Sequence, residues 1–196
     1  VVNNSTLHFG AYLNDKLEGV MSFGSPLDKR KVLPLVSGTV WTGMLELNRM
    51  AFSDRLPRNS ESRCMAVAFR LIKKHYPHIE WILSFSDGTQ CGDGAIYRAS
   101  GFVLTSIKKN NSIWRAPTGE SFAETSLRPG IGGSAAIKKA EAISRKTMTK
   151  GAHLAASGGK SSMQRFKDAG WKPIEGFQLR YIYFLNPEAK ARLTVP

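Results

Sequence analysis

Three arginines, Arg55, Arg58 and Arg63, crowd the polar stretch SDRLPRNSES (53–62) and the residue after it, where an amphipathic run begins. Asn59 and Ser60 are residue types that cap a helix, and Pro57 lies just ahead of them. The first turn of a helix has unpaired N–H groups and the positive end of the macrodipole. Cations gathered there make a phosphate site. The alternative is a capped surface helix with solvated arginines. No GxxxxGK[ST] occurs and no GxGxxG follows a strand, so neither a Walker loop nor a dinucleotide fold is indicated. His8, His75, His78 and His153 have no HExxH or other paired spacing, and no metal ligands are assigned. Cys64 and Cys91 form no CxxC, which argues against a disulfide scaffold or thiolate zinc and for a reducing compartment.

The elements that would position this loop read clearly around it. LELNRMAF (45–52) alternates as a half-buried strand. From Arg63 to His75, Met65, Ala68, Phe69 and Ile72 fall at i, i+3, i+4, i+7, one face of a helix that Pro77 ends. WILSF (81–85) is a short buried strand closing on Ser86-Asp87-Gly88, followed by a short helix. Upstream, LHFGAYLN (7–14) and LEGVMSFG (17–24) form a hairpin turning at Asn14-Asp15. DKRK (28–31) is a basic loop, and 32–44 is irregular or a weak strand around Val40-Trp41-Thr42. Downstream, FVLTSIKKN (102–110) is a strand that SIWRAP (112–117) pairs beside, and 119–133 is loop. SAAIKKAEAISRKTMTKG (134–151) is a helix capped by Ser134, its apolar face Ala136, Ile137, Ala140 and Ile143. MQRFKDAGW (163–171) is a short helix and FQLRYIYFL (177–185) a strand.

At 196 residues, 42% hydrophobic and 10% aromatic, the chain suits one soluble domain with a sizeable core. No apolar run approaches the roughly 18 residues of a membrane span. The chain starts at Val1-Val2 without a methionine, so an N-terminal segment is expected to precede it. A net charge of +13 implies a polyanionic partner, DNA or RNA. The excess concentrates in 128–172, where Arg128, Lys138, Lys139, Arg145, Lys146, Lys150, Lys160, Arg165, Lys167 and Lys172 face only Glu141 and Asp168.

ELNRMAFSDRLPRNSESR and HYPHIEWILSFSDGTQCGDGAIYRASGF resemble the Mom DNA-modification proteins of Mu-like phages, closely from about Leu7 to Lys109 and more loosely beyond. That family is similar to the GNAT acyltransferases. The resemblance implies an α+β (α/β/α) fold: a GNAT-like mixed, mostly antiparallel central sheet flanked by helices. It implies a single domain over 1–196 with a basic helical insertion or extension around 119–172. In such a fold a CoA pyrophosphate sits on Arg58, Asn59, Ser60, Ser62 and Arg63. The loop glycines usual there (Q/R-x-x-G-x-G/A) are absent, leaving the donor open between an acetyl- or acyl-CoA and glycyl-tRNA. Iron is invoked for the family through an N-terminal His-Tyr pair that this sequence lacks.

The implied reaction converts adenine in DNA to N6-carbamoylmethyladenine, shielding phage DNA from restriction in the host cytoplasm. The matching active-site positions are Arg49, Ser62, Asp87 and Tyr97. Arg49 would contact donor or phosphate, Ser62 would hold a phosphate or the reacting group, and Asp87 would be the base for N6. Tyr97 would be the acid for the leaving group. For Arg49, Ser62 and Asp87 the bland alternatives are, in turn, a strand-edge cation, a first-turn helix residue and a turn-nucleating aspartate. Adenine must leave the duplex to be reached, with Trp41, Trp114 and Phe122 as stacking candidates or core residues. Lys138, Lys139, Arg145, Lys146, Lys150, Lys160 and Arg165 would clamp the backbone. The competing classes are a non-catalytic basic nucleic-acid-binding module and a CoA-dependent N-acetyltransferase of a protein or small amine.

Overall fold

The computed structural model describes residues 4–89, 92–128, 134–147 and 162–195. Strands β1 (Ser5–Leu13) and β2 (Lys16–Gly24) form the expected hairpin. Asn14 and Asp15 both take positive φ, 49° and 60°, a conformation these two residue types tolerate and one that matches the twist of the strands. β3 (Met44–Phe52) continues the meander antiparallel to β2. Then α2 (Ser60–His75; α1 is the short helix Lys29–Val32) crosses over to β4 (Trp81–Asp87), which runs parallel to β3. Next come α3 (Ala95–Ala99), β5 (Val103–Arg115), β6 (Ser121–Ala123), α4 (Glu124–Leu127), α5 (Ser134–Thr147), α6 (Ser162–Asp168) and β7 (Lys172–Phe184). The mixed seven-stranded sheet has the order β1-β2-β3-β4-β7-β5-β6, an α+β architecture.

Three local expectations are corrected. DKRK is not a loop: α1 is capped by the Asp28 side chain, which accepts from the Lys31 N–H, while 32–44 takes the irregular one of its two readings, with a 3-10 turn at Leu33–Leu35 and no strand at Val40-Trp41-Thr42. FVLTSIKKN and SIWRAP are one strand, β5, because Asn110-Asn111 stays extended and does not turn. The 119–133 loop contains β6, which pairs antiparallel with the end of β5, and α4.

The chain forms two compact units, residues 1–107 with 179–196, and 108–178. In the first, alternate residues of the central strands feed two cores. Met21, Phe23, Leu47, Ile82 and Tyr181 pack with the α2 face Met65, Ala68, Phe69 and Ile72. Each large side chain so buried contributes about 1.5–3 kcal/mol. Met44, Trp81, Leu83 and Ile182 point the other way, against Leu35, Val36 and Ala189. Buried on both faces, β4 reads as a nearly continuous apolar run.

The second unit has its own core of Trp114, Leu127, Ala140, Ile143, Phe166 and Trp171. The Trp171 indole N–H donates to Ser144 Oγ at 3.0 Å, and Ser144 donates to the Ala140 carbonyl at 2.9 Å. Among the described residues no helix is long and apolar enough to cross a membrane.

Candidate functional site

The β3–β4 ladder is short. Its parallel pairs are Met44 with Trp81, Leu45 with Ile82 and Glu46 with Leu83. Beyond them the C-terminal ends of both strands are released from each other on the edge where α2 begins. Ligands in α/β arrangements gather at such strand ends.

The first turn of α2 is undercapped. Asn59 holds the N-cap position with φ 66°, but its side chain makes no capping bond. The expected cap from Asn59 or Ser60 is therefore not formed. Ser60 Oγ donates instead to the Pro57 carbonyl at 2.6 Å, and Ser62 Oγ to the Asn59 carbonyl at 3.0 Å. The N–H groups of Ser60 and Arg63 are bonded to Pro57 and Asn59. Those of Glu61 and Ser62 find no acceptor among the described residues. Arg55 pairs with Glu18 at 3.1 Å, whereas Arg58 and Arg63 are exposed without an ion pair among the described residues. Two free donors and two free cations on a helix N-terminus suit an anion. At Cys64, beside this turn, burial first, then the charge of Glu61, push the thiol upward, away from the reactive thiolate form.

Asp87 ends β4. Its Oδ1 accepts from the Thr89 N–H at 2.9 Å, and Oδ2 makes no hydrogen bond among the described residues. Gln90 and Cys91 lie outside those residues. The chain is caught again at Asp93, whose carbonyl accepts from the Tyr181 hydroxyl at 2.6 Å and from Arg98 at 2.6 Å. Gly94 has φ +73°, and a Cβ there would lie 2.5 Å from the Tyr181 ring, so only glycine lets α3 start this close to β7. Tyr97 on α3 is half-buried, its ring 5.2 Å from Phe102 and 5.3 Å from Tyr181.

Arg49 owes its position to a β-bulge. Ser22 pairs with Arg49 but Phe23 with Leu47, so Asn48 is an extra residue in β3. The bulge shifts the inward phase from Leu45 and Leu47 to Met50 and Phe52, and turns Arg49 to the exposed face. There it lines a cavity of 510 Å³ with His8, Phe9, Gly10, Tyr12, Leu17, Val20, Met21 and Ser22. Ser62, Asp87 and Tyr97 do not line it. Among the described residues no hydrogen bond or ion pair joins any two of Arg49, Ser62 and Asp87.

Sequence reasoning passed over Glu46, the last residue of the parallel ladder. A glutamate in an alternating strand reads as an outward polar residue. Only the ladder shows that it sits half-buried where the strands part. Burial pushes its carboxyl up to about 6, against a hydrogen bond from Asn48 that lowers it. Because the folded value lies above the unfolded one, its contribution is fully favourable below about pH 4.5 and is lost as pH rises through 6. Glu46→Gln is expected to raise Tm by roughly 2–4 °C at pH 7–8 (about 1 kcal/mol after solvent screening). The gain should vanish at pH 4, and thermal unfolding across that range checks it.

Of the basic residues, Lys138, Arg145, Lys146 and Arg165 are exposed without ion pairs among the described residues. Lys139 pairs with Glu120 at 2.8 Å. Lys150 and Lys160 lie outside the described residues. Of the stacking candidates, Trp114 is buried and Phe122 packs on Trp171 at 5.3 Å, both in the second unit's core. Trp41 is exposed, with Lys29 Nζ 5.1 Å from its ring. No group of three or more metal-ligating side chains occurs among the described residues.

Against known proteins, the model of the Mom protein family matches residues 1–196. Methylcarbamoylase mom of Escherichia phage Mu is 34% identical over 193 residues, covering 98% of this chain and 69% of that protein. Similar solved structures include a Bacillus subtilis acetyltransferase in complex with CoA (16% identity, TM-score 0.39, 52% of this chain and 57% of that one). A probable acetyltransferase from Staphylococcus epidermidis has 10% identity and TM-score 0.44, with 90% of this chain and 66% of that one covered. The chain thus spans less than two-thirds of either structure.

Proposed function

Because this chain belongs to the Mom protein family, we propose that it is a transferase converting adenine in DNA to N6-carbamoylmethyladenine in a bacterial host, protecting phage DNA from restriction. The observation carrying this reading is the whole-chain family match, with 34% identity to a relative named a methylcarbamoylase. The four residues implied by the resemblance take these roles. Asp87, with Oδ2 available, accepts the N6 proton. Tyr97, its ring fixed by Phe102 and Tyr181, protonates the leaving group. Arg49 and Ser62 hold donor or substrate phosphate. The undercapped turn of α2, with Arg58 and Arg63, receives the anionic part of the donor, whether a CoA thioester or a glycyl-tRNA.

Adenine N6 is a weak nucleophile, its lone pair delocalised into the ring, so an activated acyl donor is required. With a glycyl group, N6 attacks the carbonyl and expels the donor's thiol or hydroxyl. The free amine of N6-glycyladenine then attacks C6 through a five-membered ring and displaces the amide. The product, N6-CH2-C(O)NH2, is an isomer of the acylated base and needs no further reactant.

The test is mass spectrometry of nucleosides from plasmid DNA of cells grown with 15N-glycine and expressing the protein or its Asp87→Ala variant. The expected result is a carbamoylmethyl-deoxyadenosine carrying one 15N more than unmodified deoxyadenosine of the same DNA, whose ring N7 itself comes from glycine, and reduced at least about 100-fold in the variant. A modified nucleoside with no 15N beyond that of deoxyadenosine refutes the glycyl donor alone. Unmodified DNA refutes the enzyme, and leaves a nucleic-acid-binding module.

A further inference from the structure

We propose that the cavity on the exposed face of the β1–β3 meander seats one nucleotide of the DNA strand beside the target adenine, with its base against Tyr12 and Leu17 and its phosphate on Arg49. This rests on the reading above for DNA as the ligand; the target adenine itself belongs with Asp87, which does not line the cavity. The site itself follows from register.

His8 pairs with Ser22, and Ser22 with Arg49, so three polar side chains from three strands stand in one row on one face. His8 Nδ1 and Ser22 Oγ are 2.9 Å apart, which fixes the imidazole at one end of the row. Arg49, at the other end, has no ion-pair partner among the described residues, and no carboxylate lines the cavity.

The apolar half of the wall lies alongside. Tyr12 is 67% exposed and Leu17 54% exposed, a large aromatic and a leucine on a sheet face where polar residues ordinarily stand. Both lean over Gly10, where a Cβ would come within 2.9 Å of the Tyr12 ring and of Leu17 Cδ1. The glycine keeps the floor flat, and any larger residue would push both walls apart. A flat π-face, an aliphatic edge, hydrogen-bonding groups and an unpaired guanidinium together match a base joined to a phosphate. Aromatic contact gives stacking and the cation gives backbone attraction. The cavity volume of 510 Å³ falls in the range of small-ligand sites, roughly 300–1,000 Å³. The register row holds Arg49 to this face only because of the extra residue Asn48, so the bulge and the cavity are one feature.

The test uses the full chain and a single-stranded oligonucleotide carrying one 2-aminopurine, an adenine analogue whose fluorescence falls on stacking. Wild type is expected to quench it. Tyr12→Ala should abolish the quench and weaken binding about tenfold, and Tyr12→Phe should restore both. Because Tyr12 is mostly exposed, these variants keep the fold. Arg49→Ala should weaken binding while leaving the quench at saturation intact. Tyr12→Ala that binds and quenches as wild type overturns the proposal. So does displacement of the oligonucleotide by free CoA, which would give the cavity to a nucleotide of the donor.

The modification assay separates this from the preceding reading. Full DNA modification by Tyr12→Ala overturns the cavity and leaves the enzyme standing. Absence of modification by wild type with the quench pattern intact overturns the enzyme and supports the cavity.

Discussion

Replacing Lys138, Arg145, Lys146 and Arg165 together with glutamine is expected to lower DNA affinity by about three orders of magnitude near 0.1 M salt. Each phosphate contact contributes about 0.9 to the slope of log K against log salt, so losing four flattens that slope by roughly 3–4. These four are chosen because they are exposed and have no ion pairs among the described residues. Lys139, tied to Glu120, would contribute less and is left in place. The substitutions spare the core of the second unit, since Ala140, Ile143 and Phe166 carry the packing of α5 and α6. Fluorescence anisotropy of a labelled duplex over a salt series reads both affinity and slope. An unchanged slope would remove this segment from the DNA interface.

The second large effect is on stability. Phe69 is 4% exposed and stands at the centre of a ring cluster, 6.3 Å from Phe23, 5.8 Å from Phe102 and 4.4 Å from Tyr183. Phe69→Ala is expected to cost about 3–5 kcal/mol, the transfer term plus the cavity left behind. The loss of several ring pairs places it toward the upper end. Against a total stability of about 5–15 kcal/mol, that leaves the first unit close to unfolding. Urea denaturation should show the midpoint collapse, while Phe69→Leu keeps most of the stability because volume and apolarity are largely retained. Equal midpoints for wild type and Phe69→Ala would mean the cluster does not hold α2 to the sheet.

What was legible beforehand follows from where local chemistry decides the outcome. The α2 face was readable because Met65, Ala68, Phe69 and Ile72 repeat with the helical period and all four are buried. The hairpin was readable because Asn14-Asp15 names its own turn. The bulge at Asn48 was not, since nothing in LELNRMAF marks an extra residue. The inserted residue is visible only against β2, and with it the outward turn of Arg49. The same holds for Glu46, whose raised carboxyl comes from burial where two strands part. β6 was hidden because three residues, Ser121–Ala123, are too few to show alternation. α1 was hidden because a four-residue helix carries no period. The capping expectation failed for a subtler reason: Asn59 has the right chemistry, but its backbone is left-handed where a capping residue is ordinarily extended, and its side chain makes no capping bond.

The last long strand of the chain lies inside the sheet. β7 is placed between β4 and β5, and its Tyr181 holds the Asp93 carbonyl across 88 residues of sequence. A ribosome releases this protein from the N-terminus, so the meander, α2 and β4 emerge long before the strand that covers β4's open edge. Until about Phe184 has left the exit tunnel, β4 carries an unpaired edge, which is the kind of surface that templates association with other chains. A premature stop anywhere between β5 and β7 therefore yields a polypeptide with most of its core residues and no way to close them. Such fragments are expected to be chaperone clients and protease substrates rather than partly active proteins. Pauses in translation upstream of residue 172 lengthen the interval in which that edge stays open.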